Sequence, residues 1–287
     1  MISVPDQVTW VECPRDAWQG LKHVPSTSAK LRHIQDLLAA GFDHLDLGSF
    51  VSPKAVPQMA DTEALLSDLV AGPGVDLLCI IANERGLARA RAANGVTSVG
   101  YPLSVSDTFQ QRNVGRSVAE SWELVTELEQ QAKAFGIELV VYLSMGFGNP
   151  YGDSWSPATT AAAVARLRAA GIKRIAVADT LGNANAAAIE AVLDAVPEPG
   201  GLGLHLHAAP GAWRDKLAVA LRYGVRWFEG ALGGVGGCPF AADELVGNLP
   251  TEHVLPWLAA EGLAVAPDMT ALPDLAAAAQ RLAHLGA

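Results

Sequence analysis

No stretch of 18 or more apolar residues runs through this chain, which argues against a membrane-spanning helix. The N-terminus lacks a basic segment followed by an apolar one, so no secretory leader is expected and the cytoplasm is the expected compartment. Basic clusters are missing as well. With 20 Lys and Arg against 30 Asp and Glu the formal net charge is −10, and nucleic acid is not an expected partner. Cysteine is scarce. Cys13, Cys79 and Cys238 are an odd number at wide spacing, which fits reduced thiols rather than a disulfide framework. Neither a P-loop nor a dinucleotide-type glycine cradle is present. An anionic substrate must therefore be drawn by particular arginines or by a cation, against the overall charge.

What is present is ample core material, with half of the 287 residues hydrophobic. Apolar, β-branched runs begin near Val8, His44, Val75, Val96, Ile137, Lys173, Leu202 and Arg226. Segments suited to helices lie between them, at 28–40, 83–93, 117–135, 157–170, 185–196 and 213–223. Several close on a helix-stop glycine, namely Gly41, Gly136, Gly171 and Gly224. Strand–helix alternation with short links implies parallel strands. Eight repeats of about 30 residues fit a closed (β/α)8 TIM barrel better than an open sheet. No linker or composition break divides the chain, so residues 1–287 are expected to form one α/β domain, with a terminal helix at 271–287 that carries no chemistry.

In that architecture the chemistry sits at the C-terminal ends of the strands. Five polar or glycine-rich features fall there: Arg15-Asp16, Ser49-Phe50-Val51, Asp179-Thr180, His205-Leu206-His207 and the loop from Gly233 to Cys238. His205 and His207 alternate with leucines, and on a strand residues i and i+2 face one side. Two imidazoles presented to one spot suit a divalent metal. Asp16, on a strand that neighbours the last one once the barrel closes, can add an anionic oxygen. Such a mixed nitrogen and oxygen set suits Mg²⁺ or Mn²⁺. Asn248, taken alone, reads as a helix N-cap before Pro250 and Glu252. Arg15 either stabilises developing negative charge or pairs with Glu12 or Asp46. Asp179 is either a base relay or the holder of the Thr180 turn. Ser49, Asn83 and Asn113 are candidate polar contacts to substrate, and segment 102–116 is a candidate flank whose Arg112 and Arg116 could meet phosphates. Four glycines within 233–237 allow a lid carrying Cys238.

The motifs carry a resemblance. Cys13-Pro14-Arg15-Asp16-Ala17-Trp18-Gln19 is similar to the Pro-Arg-Asp-Gly-x-Gln opening of 3-hydroxy-3-methylglutaryl-CoA lyases, within the metal-dependent acyl-CoA lyase and synthase barrels. Ser49-Phe50-Val51-Ser52-Pro53-Lys54-Ala55-Val56-Pro57-Gln58-Met59 resembles the strand-2 segment of that family almost residue for residue. Asp179-Thr180-Leu181-Gly182, Gly233-Gly234-Val235-Gly236-Gly237-Cys238-Pro239 and Gly247-Asn248-Leu249 resemble its remaining motifs.

The resemblance implies metal ligands Asp16, His205, His207 and Asn248, with Mg²⁺ or Mn²⁺ as cofactor. It implies a catalytic set of Arg15, Cys238, Asp179 and His205. Substrate contacts are expected at Gln19, Ser49, Asn83 and Asn113. The implied partner is an acyl-CoA and the implied reaction is retro-Claisen cleavage of a 3-hydroxyacyl thioester. A homo-oligomer is compatible with the sequence. The chain departs from the pattern at Ala17 (glycine in the family), Ala176 (serine), Ala208 (an acid) and Asn149 (cysteine). These changes bear on which acyl-CoA is accepted. A Claisen-type synthase, a lyase for another hydroxyacyl-CoA or hydroxy-oxo acid, and a metal-binding barrel without turnover are the competing readings.

Overall fold

The computed structural model of the protein describes residues 7–236 and 246–284. Eight strands, β1 (Thr9–Glu12), β2 (His44–Ser49), β3 (Asp76–Ile80), β4 (Ser98–Ser104), β5 (Glu138–Ser144), β6 (Arg174–Ala178), β7 (Gly203–His205) and β8 (Trp227–Gly230), close into one parallel barrel. Each pairs with its sequence neighbours, and β8 returns to β1 in the register Val11 to Glu229. The expected (β/α)8 barrel is thus what the chain forms, and all eight strands start within two residues of the positions inferred from sequence.

The connecting helices are α1 (Pro14–Gln19), α2 (Thr27–Ala39), α3 (Thr62–Asp68), α4 (Glu84–Ala92), α5 (Asp107–Val114), α6 (Val118–Phe135), α7 (Pro157–Ala169) and α8 (Ala186–Ala195). They continue with α9 (Arg214–Arg222), α10 (Thr251–Ala260) and α11 (Leu272–His284). Local chemistry explains their ends. The Ser117 hydroxyl accepts from the Glu120 amide while Glu120 reaches back to the Ser117 amide, a reciprocal cap that starts α6. Gly136 closes the same helix in the left-handed region at φ 70°, where a side chain would be strained. α11 is no loose appendage, since it packs on α2 and on the turn at Leu232–Gly234.

Two apolar layers result. The larger lies between strands and helices and takes Leu204, Leu206 and Phe228, all fully buried. The smaller plugs the barrel interior with Leu78, Val140, Tyr142 and Ala176. Burying a leucine contributes roughly 1.5–3 kcal/mol, so the outer layer supplies most of the stability and the interior is free to hold polar groups. The alternation of β7 and β8 does the sorting, with leucine and phenylalanine outward and His205 and Glu229 inward. At the N-terminal mouth Arg174 pairs with Asp76 at 2.7 Å and Glu138 at 3.2 Å and lies over the Trp227 ring, closing that end. Among the described residues no helix is long and apolar enough to cross a membrane.

His33 on α2 packs edge-on against Trp18 at 6.0 Å, and its buried Nδ1 has no partner among the described residues. Burial pushes its pKa down to about 4, against about 6.5 in the unfolded chain. Between those values the unfolded state binds more protons, so the stabilising effect of a neutral His33 is complete above pH 6.5 and is lost as the pH falls toward 4. Moving from pH 8 to pH 5 is expected to cost about 2 kcal/mol through this residue. His33→Leu should remove that increment from the difference between denaturant midpoints at the two pH values. An unaltered difference would refute the assignment.

Candidate metal centre and substrate cavity

The C-terminal ends of β1 to β7 surround a cavity of about 670 Å³. Its lining includes Arg15, Asp16, Gln19, His205 and His207 on one wall and Ser49, Asn83 and Asn113 on the other. The four substrate contacts expected from sequence therefore face one space with Asp16, His205 and His207, whereas Asn248 does not line it.

β1 ends at Glu12, and the chain turns at once into α1, with Pro14 at its first position. Arg15 and Asp16 thus stand on a helical turn rather than on the strand end expected from sequence. The guanidinium forks onto Asp46 of β2, with Nε 3.1 Å from both carboxylate oxygens and Nη2 also donating to Oδ2. Nη1 donates to Asp16 Oδ1 at 3.1 Å and to Gln19 Oε1 at 2.8 Å. Five N–H groups are available, so one Nη2–H remains without a protein acceptor among the described residues. Burial works against the Arg15 charge, but Asp46 and Asp16 outweigh it and raise its pKa. Asp46 is aimed by a register shift in β2 between Asp46 and Gly48, a bulge that re-directs the strand beside the site. Glu12 does not join this group. It accepts from the Leu232 amide, the Thr251 hydroxyl and the Trp10 indole, tying β1 to the start of α10.

His205 and His207 bring their Nε2 atoms to 3.1 Å. Behind them, Glu229 stands directly across from His205 in the β7–β8 register. Its Oε2 lies 2.8 Å from His205 Nδ1, and its Oε1 accepts from the Tyr142 hydroxyl at 3.2 Å. A carboxylate only accepts, so Nδ1 carries a proton. Burial lowers the His205 pKa, but the Glu229 hydrogen bond and charge outweigh it and raise it, and only the neutral ring would offer Nε2 to a cation. For His207, burial, then the neighbouring His205, lowers the pKa to about 4, which keeps that imidazole neutral at pH 7. Asp16 would be raised by burial, but Arg15, then His205 and His207, hold it down at about 2.

Asn248 arrives through backbone pairing. It bridges to His207 in antiparallel fashion, and the Ala208 amide donates to Gly247 O at 3.0 Å. The Asn248 Nδ2 donates to Asp16 Oδ2 at 2.7 Å and to Val235 O at 2.9 Å. Its Oδ1 is buried and has no hydrogen-bond partner among the described residues. Such an orphan costs about 1–3 kcal/mol unless an electrophile meets it. Gly236 permits the approach, for at φ 110° an added Cβ would stand 2.5 Å from Asn248 Nδ2 and 3.0 Å from the Ala17 Cα. Asp16, His205 and His207 offer ligand atoms all within 4.8 Å of one another. The lone pairs, the surplus of buried carboxylates over Arg15 and the orphaned amide oxygen together fit a divalent cation. A second grouping of Cys13, His205 and Glu229 meets the same distance criterion. It is the poorer site, because Cys13 and Glu229 do not line the cavity and burial keeps the Cys13 thiol protonated.

Other expectations need correction or restriction. Asp179 does not line the cavity; its Oδ1 accepts from the Ala184 amide at 3.1 Å and its Oδ2 from Lys216 Nζ at 3.0 Å, so the base-relay reading gives way to a structural one. Ala176 packs inside the barrel with Leu78, Val140 and Tyr142 and does not line the cavity, so a serine there would not face substrate. Arg112 lies over the Tyr151 ring at 4.8 Å, and neither it nor Arg116 lines the cavity. The arginines that do, besides Arg15, are Arg85 and Arg89 of α4. Arg89 is tied to Glu63 and to Phe50 O, whereas Arg85 makes no ion pair among the described residues. Cys238 lies outside the described residues. Glu229, Tyr142, Lys216 and Arg85 were not singled out in the sequence. For Glu229 a signal existed: an acid between Phe228 and Gly230 in a buried strand needs a partner.

A family model described as HMGL-like matches residues 7–279. A 3-hydroxy-3-isohexenylglutaryl-CoA/hydroxy-methylglutaryl-CoA lyase of Pseudomonas aeruginosa is 33% identical over 95% of this chain and 92% of its own length. The human mitochondrial hydroxymethylglutaryl-CoA lyase is 32% identical over 92% of this chain and 82% of its own. Among solved structures, the hydroxymethylglutaryl-CoA lyase from Pseudomonas aeruginosa superposes with a TM-score of 0.88 at 32% identity, covering 95% of this chain and 91% of that one. An HMG-CoA lyase from Acinetobacter baumannii in complex with coenzyme A and 3-methylmalate gives 0.89 at 29% identity, covering 99% and 93%.

Glu229→Gln retains the volume but removes the charge that fixes His205. Partners of this kind typically change metal affinity by about 10- to 100-fold. The variant is expected to show that loss in calorimetric titration with Mn²⁺ as a divalent probe, with its melting temperature little changed. Equal affinity in both proteins would show that Glu229 does not orient His205.

Proposed function

The chain belongs to the HMGL-like family, and from that premise we propose that it is a divalent-metal-dependent carbon–carbon lyase. Its substrate on this reading is 3-hydroxy-3-methylglutaryl-CoA and its products are acetyl-CoA and acetoacetate, in keeping with the names of the relatives it resembles. The observation that carries the reading is the meeting of Asp16, His205 and His207 on the cavity wall beside Arg15, with Asn248 donating to Asp16 Oδ2.

Those four residues are the proposed ligands, and Mg²⁺ or Mn²⁺ the proposed ion. A cation bound there supplies a Lewis acid that makes an adjacent hydroxyl more acidic. Cleavage then requires the C3 hydroxyl to lose its proton, the C2–C3 bond to break into a ketone and a thioester enolate, and C2 to regain a proton. Arg15 is the proposed donor to the enolate oxygen, through its remaining Nη2–H. The two carboxylates that hold it keep it charged and immobile, so no reorganisation is needed as the charge develops. Gln19 locks Arg15 to Asp16. Its role is therefore proposed as alignment of the pair. Ser49, Asn83 and Asn113 remain the proposed polar contacts to the acyl chain or the CoA arm. Asn83 also caps α4 through Oδ1, which leaves its Nδ2 for the cavity. Arg85 replaces Arg112 and Arg116 as the proposed cation for the CoA phosphates. Cys238 is kept as the proposed proton donor to C2 on the sequence resemblance alone. The cytoplasm remains the proposed compartment, while relatives carry both mitochondrial and cytoplasmic names.

A longer C3 branch is a second substrate reading. The Pseudomonas aeruginosa relative's name includes an isohexenylglutaryl thioester, and the cavity wall holds Val51, Val56, Ile80, Phe109 and Val114, apolar side chains suited to such a branch.

Full-length protein supplied with Mn²⁺ is expected to release acetoacetate from 3-hydroxy-3-methylglutaryl-CoA in a coupled assay. Absence of product despite bound metal would overturn the reading. Arg15→Met should lower kcat by about 10²–10³ while Mn²⁺ affinity is retained, because no ligand is removed. An unchanged kcat would take Arg15 out of the mechanism.

A further inference from the structure

We propose that Asp179 and Lys216 are positioning residues for the cation centre: Lys216 clamps the backbone of His207, and Asp179 cancels the charge that the clamp brings with it. The inference rests on the proposed cation-dependent function and deepens it.

His207 lies two residues beyond the end of β7, where the parallel ladder no longer holds the chain. Two contacts replace the ladder. On one side its backbone bridges to Asn248. On the other, its carbonyl accepts from Lys216 Nζ at 2.6 Å. Lys216 comes from α9, and its side chain is only 7% exposed. The ammonium that pins a ligand in place is therefore itself buried next to the ligand cluster.

A fixed positive charge there opposes a divalent cation, and burial leaves little solvent to screen it. Asp179 answers this. Its carboxylate is 1% exposed and lies 3.0 Å from Nζ, in the only ion pair that Lys216 makes among the described residues. The Ala184 amide holds the other carboxylate oxygen, so the counter-charge cannot swing away. Asp179 reaches this position because β6 ends one residue earlier, beside His205 in the β6–β7 register. An aspartate that looks catalytic in sequence thus acts through a lysine on a neighbouring helix.

A clamp alone and a clamp with a charge to cancel make different demands on a double-mutant cycle. The test is Mn²⁺ affinity, measured by electron paramagnetic resonance on the full chain, with a melting curve for each variant. Asp179→Asn still offers an acceptor to the Ala184 amide but strips Lys216 of its counter-ion, and should weaken Mn²⁺ binding about 10- to 100-fold. Lys216→Met removes the clamp together with its charge, two opposed effects, and should weaken Mn²⁺ binding by no more than about threefold; tighter binding than wild type would overturn the clamp. The double variant should recover most of the loss seen in Asp179→Asn. Should Lys216→Met fold poorly, Lys216→Gln, which can still donate to the His207 carbonyl, takes its place in the same cycle.

The proposal is overturned if Asp179→Asn binds Mn²⁺ like wild type, or if the double variant is as weak as Asp179→Asn. It is also overturned if both single variants lose affinity equally, since that is the pattern of a neutral clamp. Wild-type protein that binds no Mn²⁺ would overturn the functional reading and this inference together. Wild-type protein that binds Mn²⁺ and forms acetoacetate, with Asp179→Asn indistinguishable from it, would overturn this inference alone.

Discussion

Buried negative charge at the C-terminal mouth is the constraint around which the rest of the molecule is arranged. Asp16, Asp46 and Glu229 are each at most 5% exposed, and among the described residues Arg15 is the one arginine or lysine paired with any of them. Burying a carboxylate without a partner is costly, so each is held by named donors. Asp46 takes the fork of Arg15, Asp16 takes Arg15, Gln19 and Asn248, and Glu229 takes His205 and Tyr142. The donors leave a surplus of negative charge and a set of free lone pairs. A divalent cation is the natural complement to both, and this is why the proposed chemistry and the stability of the mouth are one problem.

The barrel makes such a concentration of polar groups tolerable. Its leucine-rich outer layer carries the folding energy, and its N-terminal mouth is sealed by the Arg174 ion pairs. Strand alternation then delivers every second residue inward, and the parallel register sets inward residues of adjacent strands side by side. Glu229 meets His205 by that register alone. Arg15 and Asn248 need more, since both stand outside the strands. A proline-led helical turn places the first, and a short antiparallel bridge places the second. The residues that would hold a cation thus come from elements of differing regularity, a strand end, a helical turn and a short bridge.

Legibility from sequence followed the physics of each feature. The strands and helices were readable because apolar periodicity and helix-stop glycines are local properties. His205 and His207 were readable because two residues apart on a strand is itself a geometric statement. Asp46 as partner of Arg15 was one of two alternatives, and the bulge in β2 decided it. Glu12, the other alternative, faces outward to Thr251 and Leu232, which one residue of strand register determines. Asp179 stayed open between a relay and a structural role because a carboxylate after a strand looks the same whether it faces the cavity or a helix. Lys216 and Arg85 looked like ordinary surface cations on amphipathic helices; only one of them is exposed.

Taken by itself, the amino-acid order determined the class of fold, the eight strand positions and the family motifs, and offered Asp16, His205 and His207 as candidate ligands, because these depend on spacing and side-chain type. Tertiary structure alone decided which acids face one another, which backbone carbonyl Lys216 holds, and which arginines reach the cavity. Those outcomes depend on register across strands and on helix rotation over the barrel. Both are set by the packing of separate elements, through pairs as near as His207 and Lys216 at 9 positions and as far as Asp179 and Lys216 at 37 and Asp16 and Asn248 at 232, and no pattern within one element encodes them.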